Sequence, residues 1–186
     1  VSSMTQEARD MMRFLTIIFA IGLFEVQGSI NYRDCESHGA YHGVNVECSP
    51  GYVPTDLCTS ATWYDCGIGI FTLLTCCAVN TEIDVQECSQ YEGGKGEVLL
   101  CPSNNIVTSV CSSGRVADCA NKYTGMQCCD GVGFTPSEFG CRWIGAGYGR
   151  NASCGYNEVI TGVCTSSRSP ECFGEYTQIH CCPIQL

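Results

Sequence analysis

Adjacent cysteines occur at three places in this chain, and each doublet ends a set of six cysteines. The spacings within the sets are almost the same, with steps of 13, 10, 8, 10 and 1 residues in the first set and of 13, 10, 8, 9 and 1 residues in the other two. The pattern repeats after 53 residues both times, which is the mark of an internal repeat. The sets are Cys35, Cys48, Cys58, Cys66, Cys76 and Cys77; Cys88, Cys101, Cys111, Cys119, Cys128 and Cys129; and Cys141, Cys154, Cys164, Cys172, Cys181 and Cys182. We therefore predict three tandem cysteine-rich modules, at residues 29–80, 81–133 and 134–186.

The high cysteine content predicts a scaffold that is held together by disulfides. The chain has 18 cysteines among 186 residues, which is typical of small secreted proteins that fold in an oxidising compartment. Because the number is even, every thiol can be paired. No C-x-x-C spacing occurs, which argues against a thiol-redox enzyme. The regular six-cysteine modules, together with the signal peptide described next, argue against a zinc thiolate site.

The N-terminal residues have the organisation of a secretory signal peptide. Arg13 supplies a positive charge, the eleven residues from Phe14 to Phe24 are largely apolar, and a cleavage site follows at Gly28. An apolar run of this length is too short to cross a bilayer as a helix, which makes a membrane anchor the weaker alternative. We interpret residues 1–28 as upstream residues and a signal peptide, and we predict a secreted chain that begins near Ser29.

The charge balance disfavours some classes of partner. With 9 Lys+Arg against 19 Asp+Glu, the formal net charge is −10, and such a surface repels both the phosphate backbone of nucleic acids and anionic lipid. After the N-terminal region no apolar stretch is long enough to span a bilayer, so we predict no transmembrane span. The expected partner is an extracellular protein or glycan.

Short segments around the cysteines have the composition of β-strands. They are rich in β-branched and aromatic residues and are bounded by Gly, Asn, Ser or Pro, whereas no helical period follows the N-terminal region. The clearest are IGIFTLLTCC, VLLC, NIVTSVC, EVITGVC and YTQIHCC. The linkers Ala78–Glu87 and Asp130–Gly140 are too short for independent tumbling. We therefore predict an all-β fold of three disulfide-linked antiparallel modules that pack together.

The cysteine doublets have a geometrical explanation if they lie on strands. Neighbouring side chains of a strand point to opposite faces, so a doublet can attach its strand to two different partners. A bond within the doublet would need a strained eight-membered ring. Six cysteines allow fifteen pairings in each module, and the spacing alone leaves them open.

Several other positions repeat in register with the cysteines. Glycine lies eight residues after each first cysteine, which suggests a positive φ or a close approach of the backbone. An acidic residue precedes each fourth cysteine, and we interpret it as a turn or solvated surface position rather than a binding site. Threonine lies three residues before each third cysteine. These sets are Gly43, Gly96 and Gly149; Asp65, Asp118 and Glu171; and Thr55, Thr108 and Thr161.

The order of the cysteines, the strand VITGVC and the final doublet resemble the Cys/His-rich C-terminal domain of the proprotein convertase that targets the LDL receptor. The resemblance covers residues 35–182. It implies three small β-modules of the resistin type around a pseudo-threefold axis. Because the loops are shorter here and nothing in the chain resembles the subtilisin-like catalytic domain, it does not imply receptor degradation.

The resemblance also implies a nested disulfide pairing, in which the first cysteine of a module bonds to the sixth, the second to the fifth and the third to the fourth. The implied pairs are Cys35–Cys77, Cys48–Cys76 and Cys58–Cys66; Cys88–Cys129, Cys101–Cys128 and Cys111–Cys119; and Cys141–Cys182, Cys154–Cys181 and Cys164–Cys172. This pairing leaves no cysteine free.

Few residues outside the cysteine sets indicate a functional site. Asn151 begins the glycosylation sequon NAS in a glycine-rich loop. Trp63 and Tyr64 form an aromatic pair that could contact a partner or cover the small core. His38 and His42 could chelate a metal, but the other modules lack them, so surface histidines are the better interpretation. We predict no catalytic, cofactor-binding or metal-ligating residues.

The predicted function is a secreted, non-catalytic binding or structural role in mucus, extracellular matrix, an egg coat or venom, because a rigid repeat displays variable loops on one frame. A defence lectin or membrane-recognition module is the alternative, since three repeats give multivalent contacts. A secreted enzyme of unfamiliar type is the second alternative, although no nucleophile elbow or paired-carboxylate motif supports it. His180 corresponds to Thr75 and Gln127 in the other modules and is predicted to be an outward strand position.

Overall fold

The computed structural model describes most of the chain after the N-terminal region. The described residues are 30–60, 62, 65–67, 69–79, 84–113, 118–133, 135–166 and 169–185. The predicted signal peptide and the aromatic pair Trp63 and Tyr64 lie outside them. We call residues 30–79, 84–133 and 135–185 the first, second and third segments.

The described residues form thirteen strands and no helix, which confirms the predicted all-β class. The pairings between these strands are antiparallel. The first segment contains β1 (Ile30–Ala40), β2 (Val46–Glu47), β3 (Tyr52–Thr59) and β4 (Thr72–Val79); the second contains β5 (Asp84–Gly93), β6 (Val98–Leu100), β7 (Asn105–Ser112) and β8 (Thr124–Val132); the third contains β9 (Thr135–Pro136), β10 (Arg142–Ala146), β11 (Ala152–Ser153), β12 (Glu158–Thr165) and β13 (Thr177–Gln185).

Each of the three sheets takes its longer strands from one segment and a short strand from another. The strand orders are β1-β4-β3-β11, β2-β7-β8-β5 and β10-β13-β12-β6, and β9 also pairs with β13. The first segment thus gives β2 to the second, the second gives β6 to the third, and the third gives β11 to the first. Because the exchange is cyclic, each sheet is complete only when another segment contributes its short strand.

A hydrophobic core joins the three segments. Residues at equivalent repeat positions, such as Leu74, Met126 and Ile179, lie together in it and are at most 1 % exposed. A second, smaller cluster contains Val53, Ile106 and others. Since each segment supplies only part of the core, a segment on its own would leave these apolar side chains in water.

Nine disulfides crosslink the segments internally, and the described residues contain no free cysteine. The bonds are Cys35–Cys77, Cys48–Cys76, Cys58–Cys66, Cys88–Cys129, Cys101–Cys128, Cys111–Cys119, Cys141–Cys182, Cys154–Cys181 and Cys164–Cys172. These are the same pairs that the nested pattern implies. In the first segment Cys76 lies in the larger core cluster and Cys77 in the smaller one, as expected for neighbours on opposite faces of β4.

Two details differ from the sequence-based predictions. The linkers contain strand residues, because β4 continues to Val79, β5 begins at Asp84 and β8 continues to Val132. Strand pairing satisfies backbone groups that a loop packed on the sheets would leave without partners. The strand predicted for IGIFTLLTCC begins only at Thr72, after two glycines with positive φ that interrupt the extended chain.

Candidate binding cleft

A cleft of about 280 Å³ opens between the second and third segments. One wall is the chain from Leu100 to Asn105, and the other is the loop from Ser137 to Cys141 between β9 and β10. Residues of β12 and β13 form the floor. The two walls meet because β6 pairs with β12, so the cleft is a consequence of the strand exchange.

The floor of the cleft is a cluster of Thr161, His180 and the Cys141–Cys182 disulfide. A β-bulge in β12 places Thr161 out of register with β13, and bulges change the direction in which a side chain points. The hydroxyl oxygen of Thr161 lies 2.8 Å from Nδ1 of His180 and 3.2 Å from Sγ of Cys182. This hydroxyl therefore links an imidazole to a disulfide.

Burial lowers the pKa of His180 below its usual value of 6.5. The residue is half-buried, and the ring of Trp143 lies beside it with the ring centroids 4.9 Å apart. The lowered pKa favours the neutral imidazole near pH 7, in which one ring nitrogen carries a proton and the other can accept one.

The same cluster superficially resembles a metal site. Ligand atoms of Cys141, His180 and Cys182 lie within 4.8 Å of one another. Both sulfur atoms belong to a disulfide, however, and only a thiolate binds a metal strongly. In this oxidised form, His180 is the only one of the three that can serve as a ligand.

Three polar side chains in the walls of the cleft have no protein partner. Within the described part of the chain, Asn104, Asn105 and Glu138 form no side-chain hydrogen bond or ion pair. Leu100, Pro102 and other apolar residues line the space between them. Asn104 and Glu138 are exposed and Asn105 is half-buried, so water can hydrate them in the absence of a ligand. A few polar side chains around a largely apolar cleft are typical of a small-ligand site.

The loop from Ser137 to Cys141 is fixed on β13. The backbone N–H of Ser137 donates to the carbonyl of Pro183 at 2.7 Å, and the amide of Gln185 donates to the Ser137 hydroxyl at 3.2 Å. On this loop Phe139 is 84 % exposed. A fixed loop thus presents a large aromatic side chain to solvent beside the cleft.

The second segment contains the same arrangement with a different side chain. A bulge in β7 places Thr108 so that its hydroxyl lies 3.1 Å from Sγ of Cys129 and 3.3 Å from Oε1 of Gln127. Gln127 occupies the repeat position of His180. We call the bond between the first and the sixth cysteine of a segment its outer disulfide. The repeated threonine therefore contacts the outer disulfide in both segments, whereas the side chain next to the threonine differs.

The repeated acidic residues are exposed, in agreement with the prediction, but they also lie at the junctions between segments. In each junction the repeated glycine packs so closely on an acidic residue of another segment that a Cβ would not fit, and its φ lies between 61° and 71°. The contacts are Gly43–Asp118, Gly96–Glu171 and Gly149–Asp65. Hydrogen bonds from Ser169 and Lys95 also lower the pKa of Glu171.

The other residues singled out in the sequence lie outside the cleft. Asn151 is exposed and lies directly before β11. Nε2 of His38 lies 2.7 Å from a carboxylate oxygen of Glu36, whereas the ring of His42 packs on Phe71. The two histidines therefore have different neighbours.

Thr161 and His180 supply a hydroxyl and a base, which are two of the three parts of a catalytic triad. In the described residues no carboxylate is hydrogen-bonded to His180, and Thr161 is only 6 % exposed. A threonine also faces the equivalent disulfide of the second segment, where no histidine is present. The repeated threonine is therefore better explained by its contact with the disulfide than by catalysis.

Comparisons of the chain with protein families, curated proteins and solved structures found no match. The resemblance to the convertase domain thus depends on the order of the cysteines and the VITGVC strand. Among the described residues, no helix has the length and apolar character needed to cross a membrane.

Sequence patterns did not identify the cleft. Asn104 and Asn105, at the start of β7, belong to the second segment and Glu138 to a loop of the third, and the pairing of β6 with β12 brings these parts of the chain together. The available signal was His180, a titratable residue at a position that differs in all three modules. It was predicted to point outward, but it is half-buried on the floor of the cleft.

Proposed function

We propose that the chain is a secreted, non-catalytic binding protein and that it binds a glycan in the cleft between the second and third segments. The observation that carries this proposal is the presence of the unpaired side chains of Asn104, Asn105 and Glu138 in a cleft of about 280 Å³. A few polar groups within apolar walls orient a ligand whose remaining surface is buried.

The chemistry of the cleft suits a ligand with many hydroxyl groups. Side-chain amides both donate and accept hydrogen bonds, and a carboxylate accepts from neighbouring hydroxyls. Phe139 can pack against the C–H face of a sugar ring at the edge of the cleft. The net charge of −10 disfavours an anionic lipid surface, so we favour a neutral glycan over a membrane.

We also propose that residues 29–80, 81–133 and 134–186 are three repeats closed around a pseudo-threefold axis, as the resemblance to the convertase domain implies. The cyclic exchange of short strands and the recurring glycine–acid junctions support this proposal. Nine disulfides support folding in an oxidising, extracellular environment. A frame of this kind holds the loops in place before the ligand arrives, which reduces the entropic cost of binding.

The experiment is a glycan array with the secreted protein, followed by calorimetric titration of the strongest glycan. We expect Asn104→Ala and Phe139→Ala each to weaken binding on the order of tenfold, which corresponds to about 1.4 kcal/mol. Phe173→Ala is the matched control, because Phe173 is 77 % exposed but lies on a different loop.

The proposal fails if no glycan binds or if Phe173→Ala weakens binding as much as Phe139→Ala does. Pelleting with phosphatidylserine vesicles tests the alternative of membrane recognition. Binding to the vesicles without binding to any glycan would support that alternative.

A further inference from the structure

The disulfide on the floor of the cleft is accessible from one side. Both Cys141 and Cys182 border the cleft, but Cys182 is 4 % exposed whereas Cys141 is half-buried. Cys141 is therefore the more accessible residue of the pair, and its Sγ lies 3.0 Å from the carbonyl oxygen of Ser137.

We propose that the Cys141–Cys182 bond is a site of thiol–disulfide exchange with external dithiols. The proposal uses the floor of the cleft and does not depend on which ligand, if any, the walls bind. It assigns to His180 and Thr161 the role of stabilising the sulfur that leaves.

The reaction has two displacement steps. A thiolate of the dithiol attacks Sγ of Cys141, a mixed disulfide forms, and Cys182 leaves with the bonding electron pair as a thiolate. The second thiolate of the dithiol then attacks the mixed disulfide, so that Cys141 leaves as a thiolate and the dithiol becomes a cyclic disulfide. The dithiol loses two electrons and two protons; the protein disulfide gains the electrons, and the protons pass to its two thiolates or to solvent.

The surroundings of Cys182 stabilise the leaving thiolate. The Thr161 hydroxyl lies within hydrogen-bond distance of both Sγ of Cys182 and Nδ1 of His180, and Nδ1 itself is 3.7 Å from that sulfur. When the imidazole takes up a proton, the hydroxyl can donate to the thiolate while it accepts from the ring. A thiolate beside an imidazolium has a lowered pKa, and a thiol with a lower pKa leaves faster.

The two equivalent disulfides lack this stabilisation. In the second segment the neighbour of Thr108 is the amide of Gln127, which cannot take up a proton near neutral pH. In the first segment the Thr55 hydroxyl donates to the carboxylate of Asp56 at 2.8 Å, and a negative charge there disfavours a thiolate at Cys77.

Exposure alone predicts the opposite order of reactivity. Cys35 and Cys88, the equivalents of Cys141, are exposed, whereas Cys141 is half-buried. An attack governed by access would therefore reduce the bonds of the first and second segments before that of the third. This contrast lets the order of reduction distinguish chemical activation from accessibility.

The experiment treats the native protein with limiting dithiothreitol, traps thiols at intervals with N-ethylmaleimide and locates them by peptide mass spectrometry. We expect Cys141 and Cys182 to be labelled on the order of tenfold faster than Cys88 and Cys129. Labelling that begins at Cys35 or Cys88 would overturn the proposal.

Two reciprocal variants provide internal controls. His180→Gln copies the second segment and should slow the labelling of Cys141 by about tenfold, while Gln127→His should accelerate that of Cys88. A destabilised fold would make reduction faster, so a slower rate in His180→Gln is not explained by unfolding. An unchanged or faster rate in His180→Gln contradicts the proposal.

Discussion

The second and third segments have closely similar strands and disulfides, which together we call the frame of a segment. They differ in one side chain beside the outer disulfide. Thr108 and Gln127 face Cys129 in one segment, and Thr161 and His180 face Cys182 in the other. The bulged threonine and the disulfide are retained, and the residue next to them changes from an amide to an imidazole. Repeated positions therefore hold the fold together, while an unrepeated position can introduce chemistry without altering the backbone.

The largest effect should be the loss of an outer disulfide, and it should be equal in the two segments. The Cys88–Cys129 and Cys141–Cys182 bonds both close loops with a sequence separation of 41 residues. The Cys101–Cys128 and Cys154–Cys181 bonds remain intact inside these loops, so each outer bond closes an effective loop of only about 15 residues and should contribute roughly 3 kcal/mol to the free energy of unfolding in the chain-entropy model. Replacement of both cysteines of either pair by alanine, followed by denaturant unfolding, measures this contribution.

The inner bonds provide the control for that prediction. Cys111–Cys119 and Cys164–Cys172 close loops with a sequence separation of only 8 residues, and the same model gives roughly 2.5 kcal/mol for each. A much larger loss for the outer bond of one segment than for that of the other would show that the frames are not energetically equivalent.

The repeated glycines should give the next largest effect, again equal between segments. A Cβ on Gly96 would lie 2.6 Å from Cβ of Glu171, and the φ of +70° is unfavourable for an L-residue. We expect Gly96→Ala and Gly149→Ala each to lower the free energy of unfolding by roughly 2–4 kcal/mol, because strain and overpacking add.

Gly147→Ala is the matched control for the junctions. No atom lies within 4 Å of the Cβ that would be added to Gly147, so the change should stay within about 0.5 kcal/mol of the original protein. Equal destabilisation by Gly147→Ala and Gly96→Ala would mean that neither the positive φ of Gly96 nor its contact with Glu171 controls the effect.

The frame could be predicted from the sequence because it repeats. The cysteine spacing, the recurring glycines and the strand composition each occur three times, so chance is a poor explanation for them. The positive φ or close approach predicted at Gly43, Gly96 and Gly149 is confirmed in both respects. Local strand signals did not, however, reveal that β2, β6 and β11 would pair with other segments, because such pairing depends on contacts distant in the sequence.

The cleft was not predictable for the same reason. Leu100 and Asn104 are brought to Glu138 by a pairing between segments, and no local pattern records that pairing. The bulge at Thr161 could not be predicted from the sequence either, although threonine occurs at the equivalent position of all three modules. A chemically distinctive residue at a variable position, as His180 is beside Thr75 and Gln127 in the other modules, was the pointer that the sequence contained.

The smallest effect should be a pH dependence that is confined to the third segment. Burial holds the pKa of His180 below its value of about 6.5 in the unfolded chain, so the unfolded state binds the proton more readily. The resulting stability is fully present above pH 6.5 and is lost as the pH falls from there through the lowered pKa. His180→Gln removes the titrating group and should remove this loss.

Denaturant unfolding with the disulfides intact, at several pH values between about 7 and 5, measures the difference between the original protein and His180→Gln. Hydrogen bonds also lower the pKa values of Asp65 and Glu171, but both carboxylates titrate in a more acidic range and are common to the two proteins. Their contribution therefore cancels in the comparison. The original protein should lose stability relative to the variant as the pH falls, and a difference that stays constant would show that the cleft does not keep the imidazole neutral.

Gln127→His tests the same point in the second segment. If the frames of the two segments are equivalent, the new histidine should add an acid-sensitive contribution of similar size to the free energy of unfolding.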